Sequence, residues 1–422
     1  MGQEEARKWL LVASLFVTLA IVWGVGYDII GVFFHPLHNQ YGWDRTHLSL
    51  LATSLSISYG LSLPLVGWML DRVEARVVIG TGAAAIGLAL ATASRADSLT
   101  MLLASYFLLG IGTAAASIMP AAVVIANWFG ERRGTALGVA TAGVPVGEWA
   151  MTLVASYSIV LSGWRTAYVI LALPLFLIVV PLVWFMVRTR PDSGGDAKTV
   201  AETTSALSGL EVGEAIRTRA FWMVMLQWFF YTAGTAVMIV HGVPYLEGLG
   251  YSQTMAAKVW GFALGSTVIG RPLMGIIADR IGCRLALFLN CIGTGVATLL
   301  LIGASHIVVF VLFFVLFGLL LAGPVITIPM LQAEMLGLKR FGALSGLTNL
   351  GFSLGLGLGP VFGGRIFDLT GSYSIAFAAS AVSMGGAAIA TLLCAKPIAP
   401  PGEVTVIAAV AAAAGPQPDA GK

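Results

Sequence analysis

Apolar runs of roughly 20 residues follow one another along nearly the whole chain, separated by short clusters of charged residues, glycine and proline. Reading those breaks predicts spans near 9–33, 47–70, 77–93, 99–128, 135–161 and 166–187, then near 220–247, 253–278, 285–303, 306–333, 342–369 and 373–394. A hydrocarbon core about 30 Å thick takes roughly 20 helical residues to cross. The pattern therefore predicts an all-α polytopic membrane protein with about twelve transmembrane helices. The first run follows Glu4, Glu5, Arg7 and Lys8 and is too long for a signal-peptide core, so it reads as an uncleaved helix.

The longest break sets the expected division: an N-terminal six-helix bundle at 1–187, a central cytoplasmic linker at 188–219, a C-terminal six-helix bundle at 220–395 and a tail at 396–422. The linker starts with Pro191, Asp192, Ser193, Gly194 and Gly195 and turns helix-like from Leu210 to Ile216. The tail reads as disordered and cytoplasmic, because its apolar run Val404 to Ala414 is too short to span. Of 23 Lys and Arg, 17 fall on the side of the N-terminus, 4 on the other side (Arg45, Arg95, Arg165, Lys258) and 2 inside spans (Arg271, Arg365). The positive-inside rule then puts both termini in the cytoplasm, with the plasma (inner) membrane as the expected location.

Composition agrees with the pattern. With 58% apolar residues, 10% charged and a mean hydropathy of +0.91, against roughly 25% charged in a soluble domain, a water-soluble globule is excluded. A net charge of +3 without a basic block gives no reason to expect a nucleic-acid partner. Cys283, Cys291 and Cys394 form no CxxC pair, and neither cofactor nor metal is expected. His35, His38, Asp44 and His47 cluster without a helical frame to organise them. Gly351, Phe352, Ser353, Leu354 and Gly355 match a hydrolase elbow, but the motif needs a strand and a sharp turn and here lies in an apolar helix. No enzyme constellation is supported.

The loop Gly67-Trp68-Met69-Leu70-Asp71-Arg72-Val73-Glu74-Ala75-Arg76 and the loop from Gly275 through Asp279 and Arg280 to Arg284 both read GxxxDRxxxR, at an offset of 208 residues. The same offset maps Gly134 on Gly342, Gly138 on Gly346, Gly143 on Gly351 and Gly147 on Gly355. One six-helix unit is repeated in the same orientation. From about residue 9 to 395 the chain resembles the major facilitator superfamily, whose build is two such parallel repeats. Three stretches look like its branch of monocarboxylate transporters and oxalate/formate exchangers: Asn127 to Gly134, Gly270-Arg271-Pro272, and Asp368 to Tyr373. Animal members of that branch usually carry an Asp one turn before the helix-eight Arg. Here Thr267 stands there, and the first-span text is Gly24-Val25-Gly26-Tyr27-Asp28.

Charges shared by both repeats belong to the scaffold. Asp71 with Asp279, Arg72 with Arg280 and Arg76 with Arg284 are expected at a cytoplasmic gate, the acids facing the positive N-terminal ends of helices that start near Arg133 and Phe341. The resemblance implies that these contacts break when that side opens. Unshared membrane charges point to function. Arg271 lies eight residues before Asp279, about 12 Å along a helix, and its repeat equivalent is Leu63; Glu148 aligns with Leu356 and Asp28 with Ala236. Arg365 and Asp368 read as an exposed pair near the outer end of a helix. Arg271 stays cationic and its planar fork suits a carboxylate, supplied by a substrate or by Glu148 or Asp28. A single such cation favours a monoanion over a dianion. Tyr27, Tyr59, Gln227, Tyr231 and Asn349 are candidates to complete the substrate site, and Glu148 and Asp28 are candidates for proton coupling.

The expected function is a monomeric secondary active transporter in the lipid bilayer, moving a small lactate- or pyruvate-like carboxylate with a proton by alternating access. The rivals are an organic-anion exchanger of oxalate/formate kind, a drug exporter of the same fold, and a non-transporting membrane sensor.

Overall fold

The computed structural model describes residues 3–26, 29–43, 45–130, 132–188, 209–302 and 307–395. The expectations placed on Tyr27, Asp28, Asp44, residues 189–208 and the tail lie outside the described residues. In the first half α1 (Gln3–Gly24), α2 (Ile30–Tyr41), α3 (Arg45–Leu70), α4 (Ala75–Ala93), α5 (Leu99–Ala115), α6 (Ile118–Trp128), α7 (Arg133–Thr141), α8 (Gly143–Pro174) and α9 (Val180–Met186) follow one another. After the short α10 (Val212–Ala215) come α11 (Arg219–Gly248), α12 (Gln253–Gly265), α13 (Thr267–Ile281), α14 (Cys283–Ile302), α15 (Ile307–Leu321), α16 (Gly323–Leu336), α17 (Phe341–Thr370) and α18 (Tyr373–Leu393).

Among the described residues 11 helical segments are long and apolar enough to cross a membrane. One of them, Arg133–Met186, has 54 residues, about 80 Å of helix against a core of about 30 Å. It breaks at Gly163, whose φ of 79° and ψ of 164° suit a residue without Cβ. That segment crosses twice, which makes twelve crossings. Val160, Leu161, Phe185 and Val382 on the outside are 75% exposed or more, a surface that only lipid solvates without cost.

Several expected continuous spans are broken. α5 gives way to α6 at Ala116, α7 to α8 at Ala142, α12 to α13 at Ser266 and α15 to α16 at Ala322. Proline accounts for three of these breaks. Pro120, Pro145 and Pro324 bring no N–H to the carbonyls of Ala116, Thr141 and Leu320 four residues earlier, so each helix bends and leaves an acceptor free. The first span is also revised: α1 stops at Gly24 and α2 carries the chain on to Tyr41, so His35 and His38 do stand in a helical frame. Gly42, at φ 69°, ends that helix with its N–H on the His38 carbonyl. The His38 ring nitrogen Nδ1 lies 2.6 Å from the Trp43 carbonyl, and no metal-holding group of acids, His and Cys occurs among the described residues.

The two bundles meet along two helix pairs, α3 against α17 and α7 against α13. Glycines make both approaches possible, and the repeat relates them. A Cβ on Gly134 would stand 2.5 Å from the Gly275 carbonyl oxygen, and one on Gly342 would stand 2.5 Å from that of Gly67. Gly138 faces the Arg271 backbone, and Gly346 faces that of Leu63.

Candidate functional site

At one end of these pairs each repeated Asp grips the start of a helix from the other bundle. Asp71 accepts from Gly342 N (2.9 Å) and Ala343 N (3.0 Å) at the start of α17. Asp279 accepts from Gly134 N (2.8 Å), Thr135 N (2.7 Å) and Thr135 Oγ1 (2.6 Å) at the start of α7. These are charge-assisted bonds to orphan N–H groups at the positive end of a helix dipole. Burial pushes the Asp71 carboxyl up to about 6, against the lowering effect of the Ala343 and Gly342 N–H groups and of Arg340 and Arg72.

The repeated arginines do not share one job. Arg72 lies 4.1 Å over the Trp68 ring and Arg76 5.4 Å over Trp184, cation–π contacts. Arg284 instead donates to the carbonyls of Thr391 and Leu392 at the C-terminal end of α18, while Arg280 is exposed. Next to the Asp71 clamp, Glu211 pairs with Lys339 (3.3 Å) and Arg340 (2.9 Å), and the Arg340 hydrogen bond holds the Glu211 carboxyl below its usual value.

Between the bundles lies a cavity of about 430 Å³. Arg271, Glu148, Tyr59, Tyr231 and Asn349, separated widely in sequence, all line it, as does Thr267. Arg271 Nη1 donates to the Thr141 carbonyl at 2.6 Å, the acceptor that Pro145 leaves free. Its Nε has no partner among the described residues, and the Glu148 carboxylate acts on the guanidinium electrostatically. Tyr231 spends its hydroxyl on the Leu321 and Leu320 carbonyls (2.9 and 3.2 Å), and Leu320 O, the acceptor that Pro324 frees, also takes Asn290 Nδ2 at 2.8 Å. Asn349 donates to its own helix at Ser345 O (2.8 Å).

Gln227 does not belong to this site. It is fully buried, with Nε2 toward Cys291 Sγ at 3.6 Å. Trp228, Tyr231, Thr232, Thr235 and Ile239 face the cavity from α11, and Gln227 sits one residue off that helical stripe, about 100° away. Arg365 and Asp368 are both exposed. Sequence reasoning passed over Trp23, Gln332 and Ser345 and set Ser353 aside with the hydrolase motif, yet all four line the cavity. Gln332 ties α16 to α17 by donating to Ser345 Oγ (2.9 Å) and accepting from Thr348 Oγ1 (3.0 Å). The signal for Thr141 was Pro145; for Trp23, it was its repeat partner Tyr231, 208 residues on.

Twelve crossings, repeated clamps and a mostly apolar central cavity with a buried arginine in its wall, lying between two bundles, define a multi-pass membrane protein built to hold a small solute between its halves. The sequence profile of the Major Facilitator Superfamily matches residues 15–348 and again 262–418. The chain belongs to that superfamily, and it is a membrane transporter, not an enzyme. It is similar to an uncharacterized MFS-type transporter, YcxA, of Bacillus subtilis (24% identity; 93% of this chain, 96% of the relative). It is also similar to monocarboxylate transporter 13 of Rattus norvegicus (26%; 87% and 84%) and to the oxalate:formate antiporter of Oxalobacter formigenes (24%; 65% and 64%). Its fold is that of the transporter FucP in its outward conformation (TM-score 0.71, 15% identity, 91% and 98% covered) and of a double-Trp mutant of XylE (0.74, 12%, 93% and 97%).

Proposed function

We propose that this transporter carries a small monocarboxylate, with a proton, by alternating access around the central cavity. The observation that carries the reading is the Arg271 guanidinium at the cavity wall, with Nη1 anchored on Thr141 O and Nε without a partner among the described residues. A guanidinium cannot discharge by losing its proton, and its fork matches a carboxylate. Two relatives named for carboxylate transport support the substrate class. Glu148 is the proton site of this reading, near enough to Arg271 to trade its charge against that of the bound substrate. The positive-inside count makes the clamped end cytoplasmic, so Asp71 and Asp279 form the inner gate, and the halves that rock are 1–187 and 220–395.

The test is uptake of a panel of labelled acids into proteoliposomes. Arg271→Ala and Arg271→Lys should both abolish carboxylate uptake while inserting normally, Lys failing because it lacks the fork. Near-normal uptake by the Ala variant would remove Arg271 from the site. Glu148→Gln should lose acceleration by an imposed proton gradient and keep substrate-for-substrate exchange. Coupling retained in that variant would instead assign the proton to another group, and exchange with no net uptake under any imposed proton gradient in the wild type would favour the antiporter reading.

A further inference from the structure

The wall of the central cavity carries many polar side chains, but most of them are spent within the protein. Ser56, Thr113, Thr232, Thr235 and Thr267 each donate to a carbonyl three or four residues earlier in the chain. Gln332 is held by Ser345 and Thr348, and Tyr59 bonds Ser117. Among the described lining residues Arg271 and Glu148 alone are charged, and the remaining surface is mostly apolar. A polyhydroxylated solute would find few free donors there, whereas an apolar body would find a matching wall.

Two aromatic pairs stand in that wall, one from each bundle. Trp23 of α1 meets Tyr59 of α3 edge to face, with centroids 6.3 Å apart, and Trp228 of α11 meets Phe352 of α17 in the same way at 5.4 Å. The repeat does not require these rings, because Tyr59, Trp228 and Phe352 correspond to Thr267, Ala20 and Val144. Like Arg271 and Glu148, they belong to what distinguishes the halves and not to their shared frame. The cavity of about 430 Å³ falls in the range of about 300–1,000 Å³ that encloses whole drug-sized ligands. At about 30 Å³ for each water-sized group, propionate would fill about a third of it and 3-phenylpropionate about three-quarters.

We infer that the cargo is an aromatic monocarboxylate, its carboxylate on Arg271 and its ring among the aromatic side chains of the cavity wall. This rests on the carboxylate reading of Arg271 and narrows it, from acids of lactate size to acids with an apolar ring. Burial of the ring supplies the larger share of the affinity, and the edge and face preferences of ring pairs select an aryl body over an alkyl one. The cation then fixes which end of the solute lies where.

The experiment measures KM for labelled acids with the full-length protein in proteoliposomes, protein-free vesicles giving the leak of undissociated acid. The KM for 3-phenylpropionate should lie at least about thirtyfold below those for propionate and lactate, the effect of burying most of one ring. It should also lie about threefold or more below that for 3-cyclohexylpropionate, which has a similar apolar body without a π face. Phe352→Leu should remove the preference for the aryl acid, raising its KM several-fold more than that for propionate. Trp228→Leu gives the same reading if Phe352→Leu inserts poorly, and Arg271→Ala should lose every acid. A KM that does not fall from propionate to 3-phenylpropionate, equal values for the aryl and cyclohexyl acids, or a preference unaltered in both Leu variants overturns the aromatic cargo, while loss of all acids in Arg271→Ala keeps the carboxylate reading. Transport of no acid, or 3-phenylpropionate moved as well by Arg271→Ala as by the wild type, overturns both readings at once.

Discussion

At the scale of single residues, the cavity turns on a missing hydrogen. Pro145 cannot donate to Thr141 O, and Arg271 Nη1 takes that carbonyl at 2.6 Å. The cation is aimed by a backbone acceptor, which leaves its other N–H groups available. Restoring the N–H with Pro145→Ala should let α7 run into α8, satisfy Thr141 O within the helix and release Arg271. A competing hydrogen bond of about 1 kcal/mol corresponds to roughly a fivefold rise in the KM for carboxylate uptake. An unchanged KM in concentration-dependent uptake would mean that the anchor does not position the guanidinium. Arg271 and Glu148 were legible because neither has a charged counterpart in the repeat. Gln227 was misplaced because polarity says that a residue needs a partner, while the helix phase, one step of about 100°, decides which way it looks.

At the scale of elements, the Asp71 contact is a carboxylate set against the first N–H groups of α17. Burial raises its pKa from 3.8 to about 6 in the clamped state. Once α17 withdraws, water reaches the carboxyl and its affinity for a proton returns to the ordinary range. The clamped state is then the better proton acceptor, so it gains stability as pH falls through 6 toward 3.8 and has no such gain above pH 7. From pH 8 to pH 5 this one group should shift the balance toward the clamped state about tenfold. The readout is alkylation of a cysteine introduced at Met330, which packs beside Gly134 at the clamped end, in a background where the three native cysteines are buried. Alkylation slows with acid in every variant because the thiolate is the nucleophile, so the readout is the rate relative to Asp71→Asn at the same pH, which should fall about tenfold from pH 8 to pH 5. An unaltered profile in Asp71→Asn would assign the pH response elsewhere.

At the scale of the whole molecule, closure of this end depends on two glycine crossings related by the repeat. A methyl group on Gly134 would meet Gly275 O at 2.5 Å and Asp279 Oδ1 at 2.9 Å; one on Gly342 would meet Gly67 O at 2.5 Å and Asp71 Oδ1 at 2.8 Å. Backbone atoms cannot step aside as a flexible side-chain end can. Gly134→Ala or Gly342→Ala should therefore keep the bundles apart at this end, raise alkylation at Met330→Cys several-fold and lower uptake, while each bundle stays folded. Wild-type alkylation in both variants would show that the crossings tolerate a methyl group and that closure does not rest on them.

The span pattern, the repeat, the doubled acids and the Arg271 that has no charged counterpart in the repeat follow from the sequence alone, because they depend on hydropathy over about 20 residues and on spacing along a helix. Those are local quantities. How Thr141 O comes to hold Arg271 and that Gln227 turns into the C-terminal bundle were decided only when the bundles met. Each of those facts depends on helix rotation and on the breaks at Ala142 and Ala322, where a change of one residue in phase moves a side chain from the cavity to the core. Spacing within one helix cannot carry that information, because it arises from the packing of helices far apart in the chain.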